Sequence, residues 1–289
     1  MTRSDDLAAD FDEARPRLIR IAYAVLGSRA EAQDVVSDCW SRLAAADARD
    51  PVLDVEAWAT VAVARLALDA LRSARLRRET YVGSWLPEPL VAADADPADR
   101  VTLDESISYA LLVVLETLSP AERIAWVLHD LFGMPFAEVA STVGRTPAAV
   151  RQLAVRARAH VAARAPRVEV DRAEHDAAVA AFAGAAAGGD LAALLTVLDP
   201  DVVLTSDGGG VVSSARRPVH GADHVGRFVL GILRKAGPGQ WVRPSLVNGL
   251  PGFVFMDGDR VDTVASLTVR DGRIVRLDLV RSPDKLPTL

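Results

Sequence analysis

Apolar side chains recur at spacings of three and four from about Phe11 to Arg78, with almost no Gly or Pro inside the periodic segments, which predicts helices. Leu18, Ile21, Ala22 and Val25 form one stripe. Leu26-Gly27-Ser28 then carries a stop signal, because glycine accepts the left-handed conformation in which helices end. A second helix runs through Glu31, Asp34, Asp38 and Arg42, which share one face by their spacing. Val35, Val36, Cys39 and Leu43 take the other. A third begins after Asp54, with a buried stripe expected at Val55, Trp58, Ala59, Ala62, Leu66 and Ala70. Arg65, Asp69 and Arg72 line its opposite side.

The pattern breaks between residues 79 and 102. Trp85-Leu86-Pro87-Glu88-Pro89 and the stretch up to Pro97 lack periodicity and carry three prolines, which fix φ and remove donors. A semi-extended linker is expected, with Trp85 too apolar to be a bare spacer residue. Helical pattern resumes over 103–118. Ser119-Pro120 reads as an N-cap followed by proline at the first helical position. A helix to Phe132, a break at Gly133, a short helix over 135–143, a turn at Gly144 and a last helix from Pro147 to about Ala163 follow. That last helix buries Val150, Leu153, Ala154, Ala157 and Val161 and turns Ala148, Ala149, Arg151, Gln152 and Arg156 outward. Two helices joined by a glycine turn, the second small and basic at its outward start, describe a helix-turn-helix. Arg and Gln suit bidentate contact with guanine and adenine edges.

After Pro166 the character changes again. Helical pattern holds over 174–187, restarts at Gly188-Gly189-Asp190 and ends near Pro200. Strands are expected at 202–205, 241–247, 253–256 and 260–281, the last folded back at Asp271-Gly272, with one more helix over 222–234. Asp-Gly between alternating apolar runs is a strong hairpin signal. The fold class expected is therefore multidomain: two all-α modules, then a C-terminal α+β domain with a curved antiparallel sheet. The boundaries expected are 1–80, a linker at 81–102, 103–165, and 170–289.

The net charge of −6 does not suggest a DNA-coating protein, but its distribution does suggest DNA contact. Arg65, Arg72, Arg75, Arg77 and Arg78 face one acid, Asp69; Arg145, Arg151, Arg156, Arg158 and Arg164 face none. Two basic clusters beside helical DNA-binding signals suit a protein that touches nucleic acid twice. The single cysteine excludes a disulfide framework and a cysteine-rich zinc site; no metal or cofactor is expected. No apolar run is long enough for a membrane span, and the start is acidic, so a soluble cytoplasmic protein is expected.

On Ala30-Glu31-Ala32-Gln33-Asp34-Val35-Val36-Ser37-Asp38, the stretch 58–78 and Leu118-Ser119-Pro120-Ala121-Glu122-Arg123, the first two blocks resemble the extracytoplasmic-function sigma factors of the sigma-70 family. The third block resembles the SnoaL-like extension of the SigJ-like members, through Trp85-Leu86-Pro87-Glu88-Pro89, Asp207-Gly208-Gly209-Gly210, Asn248-Gly249-Leu250-Pro251-Gly252 and Ser282-Pro283-Asp284-Lys285-Leu286. It departs from them at Val211, where lysine is frequent, and at Ser282, where asparagine is usual.

The resemblance implies a sigma factor directing promoter-specific initiation, not itself an enzyme, with core RNA polymerase and promoter DNA as partners. Glu31, Asp34, Asp38 and Arg42 would meet the β′ coiled coil, and the second module the β flap. Arg65, Arg72, Arg75, Arg77 and Arg78 would serve the −10 side, and the loop at 44–54 would hold an extruded base. Extrusion costs on the order of a few kcal/mol, which pocket contacts must return. Arg145, Thr146, Ala148, Ala149, Arg151, Gln152, Arg156 and Arg158 would serve the −35 side.

Trp85, Leu86, Pro87, Asp207, Gly208, Gly209, Gly210, Asp284 and Lys285 would act in interdomain regulation, and an unidentified small ligand of the C-terminal domain is a further partner. Two other classes stay open at this point. One is a one-component DNA-binding regulator with a ligand-sensing domain. The other is a SnoaL-like enzyme using Asp207, His220 or Asp262, although Asp207 is expected to shape the glycine turn and Asp262 to face solvent.

Overall fold

The computed structural model describes residues 3–79, 81–91, 107–164 and 171–288; at 75–79 and 164 only the helical backbone is described. The chain divides into two units. One joins Met1–Glu79 to Val114–Arg164, the other Thr80–Val113 to Ala165–Leu289. The expected boundary near residue 103 thus lies instead inside a helix, and the expected linker belongs to the second unit.

In the first unit, α1 (Arg3–Leu26), α2 (Arg29–Asp47) and α3 (Val55–Glu79) form a bundle. Helix α1 starts well before the periodic stripe. Asp5 and Asp6 complement the helix dipole in its first turn, and Arg3 Nε donates to Asp47 at 3.0 Å. Gly27, at φ 70°, ends it, and Ser28 caps α2 by accepting from the Glu31 N–H at 3.3 Å. The stripes expected in α1 and α2 are buried throughout.

That of α3 is not. Val63, Ala64, Ala67, Leu68, Leu71 and Ala74 are buried, while Trp58, Ala62, Leu66 and Ala70 are only half-buried. The cause is tertiary. Helix α3 packs on α1 and α2 and also on the second helical block, so its covered arc is wider and rotated from the single stripe that periodicity suggested.

The second block holds the end of α4 (Tyr109–Leu115), then α5 (Pro120–Trp126), α6 (Phe136–Val143) and α7 (Pro147–Arg164). Ser119 and Glu122 make a reciprocal capping box at the start of α5. The helix then widens into a π turn over Val127–Leu131, absent from the sequence expectation, and ends before Gly133. Gly144, at φ 66°, closes α6, and Thr146 accepts from the Ala149 N–H at 3.2 Å to open α7. All five residues expected on the inner face of α7 are buried.

The second unit carries a six-stranded sheet in the order β2-β1-β6-β5-β4-β3. Its strands are β1 (Leu198–Asp207), β2 (Val219–His220), β3 (Gln240–Val247), β4 (Leu250–Asp257), β5 (Arg260–Arg270) and β6 (Arg273–Val280). The sheet is antiparallel as expected at four of its five junctions, and only β1 and β6 run parallel. After β1 the chain leaves through β2 and α10 (Ala222–Arg234), re-enters at the far edge and meanders back, the long crossover that parallel pairing requires. Turns at Asn248-Gly249 and Asp271-Gly272 have positive φ at both residues, which only such pairs accept readily.

One face of the sheet carries α8 (Arg172–Ala187), α9 (Leu191–Val197) and α10 over a core that includes Phe182, Leu194, Val202, Phe253 and Leu277. The other face is covered by Leu86, Val91, Tyr109 and Leu286, which pack on Val247, Val254, Val264 and Val280. Residues 81–91 therefore lie extended on the sheet, with Val91 bridging Val247, and do not act as a free spacer. Residues 92–102, the rest of the expected linker, and 103–106 after it lie outside the described residues.

Candidate functional site

Helix α2 presents Asp34, Asp38 and Arg42 exposed on one side, with Glu31 half-buried at its start. On the other side Cys39 is fully buried, and burial pushes its thiol up to about 11, so it is a packing residue and not a nucleophile. Past the end of α2 the loop is closed by Asp47, which accepts from the Val52 N–H at 2.9 Å. Its tip leaves Leu53 94% exposed.

Helix α3 places Arg65 and Arg72 on its exposed side, but they differ in occupation. Arg72 pairs with Asp69 at 3.3 Å. Arg65 donates to the carbonyls of Ser141 and Thr142 at 2.9 and 3.3 Å, in the last turn of α6. The side chains of Arg75, Arg77 and Arg78 lie outside the described residues.

Just before and along the start of α7, Arg145, Thr146, Ala148, Arg151 and Gln152 are exposed and Ala149 half-buried. The alanines leave this first turn low, so a flat surface can approach the backbone, while Arg151 lies over the Phe136 ring at 5.9 Å. The next two arginines are struts. Arg156 Nε donates to Glu122 at 2.9 Å and Arg158 Nε to Asp130 at 2.5 Å. Burial pushes the Glu122 carboxyl up, but hydrogen bonds from Ser119 and Arg156 outweigh it and hold the group below the usual carboxylate range.

Sequence reasoning missed Arg123. It is 1% exposed, donates from Nε to the Ala24 carbonyl at 3.1 Å and pairs with Glu116, which ties α5 to the end of α1. Its place in the Leu-Ser-Pro-Ala-Glu-Arg run was the available signal.

The second unit gathers most of the residues expected to be regulatory around one buried carboxylate, with Gly210 and Asp284 exposed at its edge. Asp207 has no exposed surface. Oδ1 accepts from the Tyr81 hydroxyl at 2.5 Å and the Gly209 N–H at 3.0 Å; Oδ2 accepts from the Leu86 N–H at 2.9 Å and Lys285 Nζ at 2.7 Å. Lys285 also donates to the Leu86 carbonyl at 2.9 Å, with its ammonium 4.2 Å from the Trp85 ring centre. Burial, and then the bond to Asp207, push the Tyr81 phenol above its ordinary value. Tyr109 donates to the Pro87 carbonyl at 2.8 Å.

The glycine turn is shaped by crowding. A Cβ at Gly208 would stand 2.4 Å from the Val212 carbonyl, and one at Gly209 2.2 Å from Ser282 Oγ. Gly210 has φ 72°. Ser282, in place of the usual asparagine, bonds to Asp284, and Val211 is 80% exposed. A second clamp lies at Asn248, missed as a structural residue. Its side chain accepts from the Leu90 N–H at 3.0 Å and donates to the Ile107 carbonyl at 3.2 Å.

Of the three polar groups considered for catalysis, Asp207 is saturated and His220 is exposed on the edge strand β2. Asp262, expected to face solvent, is instead half-buried and paired with Arg281 at 3.1 Å. Among the described residues no cluster of His, Cys, Asp or Glu could hold a metal ion, and no helix is long and apolar enough to cross a membrane.

A helical bundle followed by a helix-turn-helix is the architecture of a bipartite DNA-binding protein, and the comparisons give its family. Residues 11–77 match Sigma-70 region 2 and residues 108–161 match Sigma-70, region 4. The chain is 43% identical to the ECF RNA polymerase sigma factor SigJ of Mycobacterium tuberculosis, over 96% of this chain and 92% of that one. The probable ECF RNA polymerase sigma factor SigI of the same species is 34% identical, over 100% of this chain and 98% of the other. The crystal structure of Mycobacterium tuberculosis SigJ superposes with a TM-score of 0.78 at 38% identity, covering 96% and 97% of the two chains. The chain belongs to the extracytoplasmic-function RNA polymerase sigma factors, with a C-terminal α+β domain fused to the two sigma regions. The alternative of a one-component regulator gives way to this membership.

Proposed function

We propose that this sigma factor docks core RNA polymerase through the acidic face of α2, Glu31, Asp34, Asp38 and Arg42, against the β′ coiled coil, with the second helical block on the β flap. Arg65 and Arg72, on the exposed side of α3, together with Arg75, Arg77 and Arg78 further along the sequence, take the −10 side of the promoter. Arg145, Thr146, Ala148, Ala149, Arg151 and Gln152 meet the −35 side. Arg156 and Arg158 act mainly as struts that hold α7 at its angle.

The C-terminal domain regulates this work by holding the chain that joins the two promoter-reading modules. The observation that carries this reading is Asp207, which accepts at once from linker Leu86 and from Lys285 near the C-terminus. With Asn248 gripping Leu90 and Ile107, both described ends of the connecting segment are fixed to one sheet. Arg65 ties α3 to the last turn of α6, since its Nε and one Nη donate to the Thr142 and Ser141 carbonyls while its charge stays unpaired by them.

The test is transcription in vitro with purified core polymerase. Specific initiation is expected. It should change in level when the chain is ended at Arg164, and Asp34→Lys with Asp38→Lys should weaken core binding. Duplex binding without core and without initiation would overturn the sigma assignment, and identical activity of the shortened chain would overturn regulation.

A further inference from the structure

The C-terminal domain is not filled on the helix-covered side of its sheet. Between α8, α10 and strands β3 to β6 lies a cavity of about 400 Å³, within the range that accepts a drug-sized molecule. Protein interiors leave few voids larger than a water molecule, so an opening of this size needs a cause in the sequence. The cause is a run of small side chains. Ala183, Ala186 and Ala187 of α8, and Ala236 just past α10, line the space where longer aliphatic residues would close it.

Phe182 of α8, with Phe253 and Phe255 of β4, gives the space an apolar, ring-lined interior. Ile232, Trp241 and Val242, also in its lining, are 39%, 48% and 41% exposed, which places the mouth there.

The polar lining is led by Asp262, Thr263 and Arg281. Four of the five N–H groups of Arg281 are engaged: Nε donates to Thr263 Oγ1 at 3.1 Å, Nη2 to both Asp262 oxygens at 3.1 Å, and Nη1 to the Ser213 carbonyl. Its charge is matched within the wall by Asp262, so the pair offers an anion no net positive charge. The Asp262 carboxylate, with about four lone-pair sites, keeps acceptor capacity beyond Arg281 and Thr263. We infer that this cavity binds a neutral, mainly apolar small molecule that donates one hydrogen bond to Asp262.

This site is independent of the promoter-reading roles, and its test uses neither polymerase nor DNA. The full-length protein is titrated with N-phenyl-1-naphthylamine, a neutral aromatic probe with a single N–H, and fluorescence is followed. Saturable one-to-one binding is expected, displaced by 1-decanol and not by decanoate. Ala186→Phe, which fills the space from α8, should weaken binding roughly tenfold or more while cooperative thermal unfolding is retained. Ala183→Leu adds less volume and carries the same reading if the larger substitution does not fold. Absence of saturable binding, or undiminished binding in a folded filled variant, overturns the site. Stronger displacement by decanoate overturns the neutral class.

Discussion

At the scale of single residues, the polar groups that matter most are those with no access to water. Asp207 is buried with four donors, and one of them, Lys285, supplies its only described ion pair. Removing one member of a buried pair leaves the other charge without compensation, so Lys285→Ala should lower stability by about 3–5 kcal/mol, read from the urea midpoint. A midpoint equal to wild type would show that the pair contributes nothing. Gly209→Ala should cost at least ~1 kcal/mol in the same assay, because its φ is positive and Ser282 occupies the space a methyl group needs.

His175 gives a pH signature. Burial lowers its pKa, and the bond to the Leu267 carbonyl only partly opposes that. The folded state therefore holds the ring neutral where the unfolded chain would protonate it. This contribution is present above the ordinary value of 6.5 and is lost as pH falls below it towards the lowered folded value. The urea midpoint should drop between pH 7 and 5, and drop less in His175→Gln; parallel curves for the two proteins would remove the group from the account.

At the scale of elements, helix ends and helix faces behave differently. Ends were legible because their chemistry is local. Gly27, Ser119-Pro120, Gly144 and Thr146-Pro147 each act through backbone groups within a few residues. Ser119→Ala should accordingly cost about 1 kcal/mol through the lost capping box. Faces depend on what packs against them. The inner face of α7 was legible because one side of it is buried, whereas that of α3 was displaced by contacts from a second helical block.

The same distinction sorts the arginines of α7. Gln152→Ala or Arg151→Ala should reduce −35 duplex affinity by about 1–3 kcal/mol with little change in stability, measured by titration of labelled promoter DNA. Arg156→Ala should act the other way round, since its guanidinium supports Glu122 and the capping box. Equal effects on both readouts would erase the division into readers and struts.

At the scale of the whole molecule, the connecting segment is the element whose character changed most. Its prolines and missing period suggested a spacer, but Leu86, Leu90 and Val91 are bound to the sheet by hydrogen bonds or a bridge to Asp207, Asn248 and Val247. Limited proteolysis should therefore spare Trp85 to Leu90 in the wild-type protein. It should cut there in a Lys285→Ala, Asn248→Ala double variant, with sites mapped by mass spectrometry. Equal cleavage in both would contradict the clamp.

What the sequence determined by itself was everything whose physics is local or periodic. This covers the order and type of most helices and strands, their caps and the Asp271-Gly272 hairpin. It also covers the two basic clusters and the short motifs that carry the family resemblance. What only the tertiary structure decided was partnership across distance. Arg65 binds the end of α6, β1 pairs parallel with β6, Arg123 braces α1, and a linker motif, a glycine turn and a C-terminal lysine meet at one buried carboxylate. The reason is that a spacing rule places a side chain on a face, while which face meets which depends on how the whole chain closes on itself.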